Sequence, residues 1–153
     1  MAKGLGVELE SLPFTNTVEE FMEICQKEAE KLLDFEKQYH QKFSKYMQLA
    51  KNGNVIAQKN LGYMYEKGKG IVQNYEKAVM WYETAAMKNN AQALNNLAHM
   101  YQKGYGVKRD YKTAIDYLLR AANLGDCVAQ LNLGIAYQMG KGVEKNIKKA
   151  LYW

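Results

Sequence analysis

The chain contains one proline, Pro13, two cysteines and two histidines in 153 residues. Cys25 and Cys127 stand about 100 residues apart with only His40 and His99 for company, which fits no zinc-ligand spacing. Both cysteines therefore read as packing or surface thiols, and no metal or other cofactor is expected. Long apolar runs are also missing. No stretch approaches the roughly 20 apolar residues of a membrane span, and the opening "MAKGLGVELES" lacks a signal-peptide core. A cytoplasmic chain without a membrane span is expected. Enzymatic signatures are lacking too. The glycines at 68 and 70 lead into "IVQ" rather than a Lys-Ser/Thr helix start, so no phosphate loop forms. No serine or cysteine has a histidine or acid at a motif-like spacing, and no catalytic residue is expected.

What is present describes a folded domain. Apolar residues make up 48% and charged residues 24%, and twelve tyrosines outnumber four phenylalanines. At this length a chain buries a core without disulfides or structural metal. Charge is divided unevenly. Residues 1–53 carry 7 basic and 9 acidic side chains, and residues 54–153 carry 14 basic and 7 acidic. A basic half hints at an anionic partner, although a solvated face has the same composition.

Three segments align without a gap at a period of 36: 57–81, 93–117 and 129–153. Seven columns are identical, including Leu61/Leu97/Leu133, Asn60/Asn96/Asn132, Gly68/Gly104/Gly140 and Ala78/Ala114/Ala150. Ala57, Leu61 and Tyr65 at steps of four mark an amphipathic helix, called A, and Tyr75, Ala78, Val79, Tyr82 and Ala86 mark a second, called B. The glycine pair turns the chain between them. Asn74, Asp110 and Asn146 are placed to cap each helix B. Asn89 or Gly125 closes it in the left-handed conformation, and Asn90 or Asp126 caps the next helix A. Such hairpins bury their apolar stripes only by stacking.

The recurring pattern, carried best by Ala57, Leu61, Gly62, Tyr65, Gly68, Gly70, Asn74, Lys77, Ala78, Trp81, Tyr82, Ala85 and Ala86, resembles the Sel-one-like repeat, a relative of the tetratricopeptide repeat. The resemblance covers about two-thirds of the chain. It implies an all-α fold, a right-handed α-solenoid of antiparallel helix hairpins, and an adaptor or scaffold role in which a protein or peptide lies on the concave face of the A helices.

Both ends depart from the pattern. Residues 1–16 are expected to be irregular. From Thr17, with Glu20 in capping-box spacing, apolar residues at Val18, Met22, Cys25, Ala29 and Leu32 continue in steps of three and four through Tyr39, Phe43 and Tyr46. One long helix or two nearly coaxial ones over about 17–51 is expected, ending in a B-type helix and capping the solenoid; a coiled-coil partner helix is the alternative. Repeats are then placed at 54–89, 90–125 and, incomplete, 126–153. The third copy stops inside helix B. The stack is expected either to continue in a longer array or to be completed by another subunit or a partner, including self-association.

With Leu61 facing the core, a turn of about 100° per residue puts Lys59, Tyr63 and Glu66 on the opposite side, with Asn95, His99 and Gln102, then Leu131, Ile135 and Gln138, as their counterparts. Lys59, Asn60, Tyr63, Asn95, Asn96, His99, Gln102, Asn132 and Ile135 are the candidate partner-binding residues. The asparagine column either hydrogen-bonds the backbone of a bound peptide or ties adjacent helices together. Lys69, Lys108, Arg109, Lys145 and Lys148, in or beside the A-to-B loops, are expected to form a basic edge. Without a recognition helix or interleaved aromatics, this edge argues against nucleic acid. A non-catalytic adaptor is the leading expectation. A small inhibitor or immunity-type protein and a polyanion-binding module are the alternatives.

Overall fold

The computed structural model describes residues 17–153, so the expected irregular segment 1–16 lies outside the described residues. Seven α-helices and no strand occur among these residues: α1 Val18–Lys51, α2 Val55–Lys67, α3 Tyr75–Ala86, α4 Ala91–Lys103, α5 Tyr111–Asn123, α6 Cys127–Met139 and α7 Ile147–Tyr152. Two units are distinguished, one running to Glu36 and one comprising Lys37–Trp153.

In the first unit, the Thr17 hydroxyl accepts the Glu20 N–H at 3.2 Å and starts α1. Lys27 pairs with Glu23 one turn earlier at 2.9 Å, and Lys31 with Glu28 at 2.7 Å. Such exposed pairs add little to stability. Val18, Met22, Cys25, Ala29 and Leu32 are exposed.

The second unit is a helical solenoid of α2/α3, α4/α5 and α6/α7 hairpins. Local chemistry sets every boundary. Asn54, Asn90 and Asp126 accept the N–H three residues on and cap the A helices. Asn74, Asp110 and Asn146 do the same for the B helices. Each A helix ends on a left-handed glycine, and Asn89 (φ 57°) and Gly125 (φ 87°) turn the chain after the B helices. The loops then close on their own helix: the N–H groups of Asn74, Asp110 and Asn146 donate to the carbonyls of Tyr65, Tyr101 and Tyr137, each at 2.9 Å.

Between hairpins the second loop glycine is the contact point. A Cβ on Gly106 would lie 2.5 Å from the Tyr75 carbonyl carbon, and one on Gly142 would lie 2.6 Å from the Tyr111 oxygen. Gly70 approaches the Tyr39 backbone in the same way. Tyr39, Tyr75 and Tyr111 are 36 residues apart, so α1 from Tyr39 onward occupies the place of a B helix. Phe43 meets the Tyr65 ring edge-on at 5.6 Å, and Tyr46 and Met47 pack on Ala57 and Leu61. The core is continuous from Tyr65 to Tyr137. Leu61, Leu97, Leu133 and Tyr82 are fully buried, and the alanines of the B helices let the backbones approach. At the last hairpin, Leu131, Ile135, Ile147, Leu151 and Trp153 line an open groove.

Candidate partner-binding face

Each A helix turns its leucine inward and leaves the residue two positions on at the surface. Tyr63 is 40% exposed and Ile135 is 44% exposed, and His99 of the same column is exposed too. The helical repeat thereby leaves one equivalent residue per hairpin at the surface. Lys59, Asn60 and Tyr63 of α2 and Asn95 and Asn96 of α4 line one cleft of about 450 Å³, together with Gln92, Asp126 and Val128. Lys59 Nζ donates to Gln92 Oε1 at 3.0 Å across it.

A second cleft, of about 290 Å³, lies one period further along. Gln102, Asn132 and Ile135 line it with Lys103, Arg109, Tyr111, Ala136 and Lys141. Of the residues expected on the basic edge, only Arg109 enters this cleft. Its guanidinium sits 5.8 Å from the Tyr111 ring centre, where the ring quadrupole attracts it. Lys108, Lys145 and Lys148 are exposed elsewhere on the loops and the start of α7. Lys69 bends back to the A-helix face. Its ammonium donates to the Tyr63 hydroxyl at 3.2 Å and lies over the Tyr63 and Tyr39 rings, and the phenol oxygen holds the amine above its usual pKa.

The asparagine column is partly committed to the fold. Asn132 Nδ2 donates to Asn95 Oδ1 at 3.2 Å and ties α6 to α4. Asn96 lies beside the Tyr82 hydroxyl, where it opposes the burial that raises this group. His99 presents its ring edge to Tyr105 at 6.0 Å. Desolvation of its packed side lowers its pKa below the usual imidazole value, opposed by Glu66 and reinforced by Lys103 and Lys67.

Glu66 is a correction to the expected surface face. It is only 7% exposed. Its Oε2 accepts the Tyr82 hydroxyl at 2.7 Å, and its Oε1 meets Lys67 Nζ at 2.7 Å. Burial first, then the Glu66 carboxylate, push the Tyr82 phenol far above its usual range. The same carboxylate raises Lys67. A helical wheel assigns direction but not depth, and the Tyr82 side chain reaches under α2 to make the polar interior that draws Glu66 in. The acid in a column otherwise filled by Gln102 and Gln138 was the available signal. Lys103 and Lys141 were readable only as part of a loop edge, because their meeting in a cleft depends on how α4 and α6 stack.

The period of 36, the glycine and capping columns and the hairpin geometry together match a known pattern. The Sel1 repeat family model matches residues 55–90, 91–126 and 127–153. The chain belongs to the Sel1 repeat family. A Sel1 repeat protein from Oxalobacter formigenes is 35% identical with a TM-score of 0.72, over 76% of this chain and 47% of its own. A protective antigen present in uropathogenic Escherichia coli strains and displaying an SLR fold is 31% identical, with a TM-score of 0.72, over 91% of this chain and 32% of its own. Cysteine rich protein B of Helicobacter pylori, at 19% identity and a TM-score of 0.54, shares the fold. The chain thus spans less than half the length of the first two. No curated protein matches it significantly. None of the described helices is long and apolar enough to cross a membrane.

Proposed function

We propose that this Sel1 repeat chain is a non-catalytic adaptor that holds a segment of a partner protein along the open face of its A helices. Sel1 repeats generally serve as protein–protein interaction modules. The observation that carries the reading for this chain is the column Tyr63, His99 and Ile135. It is exposed in all three hairpins although the residues on either side of it are buried or half-buried. An aromatic, an imidazole and an aliphatic side chain on one face, flanked by amides at Asn60 and Asn95, suit an extended segment with apolar side chains and a backbone to be hydrogen-bonded.

The test is the combined variant Tyr63→Ala, His99→Ala, Ile135→Ala. These side chains are exposed, so its circular dichroism and melting temperature are expected to stay near those of the parent. Proteins retained by the immobilised parent are expected to be lost from the variant. Full retention by a folded variant overturns the reading.

A further inference from the structure

We infer that the cleft between α4 and α6 binds a carboxylate of an acidic segment of the partner protein. This rests on the proposed use of the A-helix face and adds the chemistry of what that face recognises.

Two equivalent places one period apart carry different charge. At the first, the chain supplies both the cation and its anion. The Glu66 carboxylate accepts from Tyr82 and pairs with Lys67, and the Gln73 amide donates to the Glu66 carbonyl at 2.7 Å. Tyr105 closes the same region by stacking on Tyr75 at 4.6 Å. One period on, Gln102 stands for Glu66 and Leu118 for Tyr82, so the acid and the hydroxyl that buried it vanish together. The lysine remains, as Lys103. Arg109 replaces Gln73, and Lys141 replaces Tyr105.

The result is three cations lining a small cleft whose walls contain no aspartate or glutamate. None of the three is in an ion pair among the described residues. Like charges gathered this way repel, and an anion placed among them removes the repulsion. The Arg109 fork matches the two oxygens of a carboxylate, and the lysines add point charges. Ile135 gives the cleft an apolar wall. A nucleic-acid strand is less well served. Base stacking needs a free aromatic face, and the Arg109 guanidinium already lies over the ring of Tyr111.

The experiment uses the full chain and fluorescein-labelled hexaglutamate, followed by fluorescence anisotropy at about 0.15 M salt. Hexaglutamine and a thymidine hexanucleotide serve as comparison probes. The parent is expected to bind hexaglutamate and not hexaglutamine. Gln102→Glu, which places an acid beside Lys103 without removing a cation, is expected to weaken binding at least about tenfold. So is the combined Lys103→Gln, Arg109→Gln, Lys141→Gln variant. Lys108→Gln, Lys145→Gln, Lys148→Gln is expected to change it less than about twofold. Circular dichroism melting confirms that each variant is folded.

No hexaglutamate binding by the parent, an equal loss in the Lys108/Lys145/Lys148 variant, or tighter binding of the oligonucleotide each overturns the inference. Substituting the three cleft cations leaves the Tyr63, His99 and Ile135 side chains in place. A cellular partner kept by the cleft variant but lost from the Tyr63/His99/Ile135 variant overturns the carboxylate site alone. A partner kept by both overturns the adaptor reading as well.

Discussion

The Tyr82 hydroxyl donates to Glu66 Oε2 at 2.7 Å, joining helix B of the first hairpin to its helix A through a buried contact. Tyr82 is 0% exposed, so its hydroxyl has no water to turn to if the acid is removed. Tyr82→Phe deletes the donor and leaves a buried carboxylate with one partner fewer. It is expected to cost about 1.5–3 kcal/mol, and Glu66→Ala a similar amount. Urea denaturation of the two single variants and the double variant checks this. The account expects the double variant to cost clearly less than the sum.

Gly62 lies against the same ring. A Cβ there would stand 2.5 Å from Tyr82 Cδ1. Gly62→Ala is expected to destabilise by about 1–3 kcal/mol through overpacking. Adding Tyr82→Leu and Glu66→Gln to Gly62→Ala recreates the set that the second hairpin uses, Ala98 with Leu118 and Gln102. The triple variant is expected to recover part of the loss, read as a shift in the urea midpoint without a change in slope.

Gly106 and Gly125 both have positive φ, 68° and 87°, but their surroundings differ. Gly106 abuts the Tyr75 backbone, which cannot move aside, whereas nothing lies within 4 Å of a Cβ on Gly125. Gly125→Ala is expected to cost about 1–2 kcal/mol of left-handed strain. Gly106→Ala is expected to cost more than that and to loosen the contact between the first and second hairpins. Thermal melts of the two variants side by side give the ranking.

These pairings mark how far the sequence was legible. The glycine turns, the caps at Asn74, Asn90, Asp110, Asp126 and Asn146, and the leucine column all follow from local chemistry repeated in phase, and α2 to α7 fall where that chemistry places them. What one helix does to the helix packed against it was not readable. Glu66 looks like a surface residue until the depth of Tyr82 is known. Gly62 with Tyr82 and Ala98 with Leu118 look like unrelated substitutions until the rings are seen against the helix. Likewise Lys103 at the end of α4 and Arg109 and Lys141 in the loops after α4 and α6 meet only through the stacking of α4 and α6.

His99 gives a pH dependence with a definite sign. Its folded pKa lies below the ordinary value of 6.5, chiefly through desolvation. The unfolded chain therefore takes up this proton first as pH falls. Its contribution to stability is fully present above about 6.5 and declines as pH drops below it, towards the lower folded pKa. His99→Gln is expected to flatten the stability profile between about pH 5 and 7. Urea midpoints of parent and variant across that range provide the measurement.

The claim that a partner lies on the A-helix face is tested most directly by site-specific photo-crosslinking in cells. A benzophenone side chain is placed, one position at a time, at Tyr63, His99 and Ile135, and in separate chains at Met80 and Asp116, which are exposed on the B helices. The account predicts discrete adducts with the same partner from the A-helix positions and none from Met80 or Asp116. Adducts from the B-helix positions, with none from Tyr63, His99 or Ile135, would contradict it.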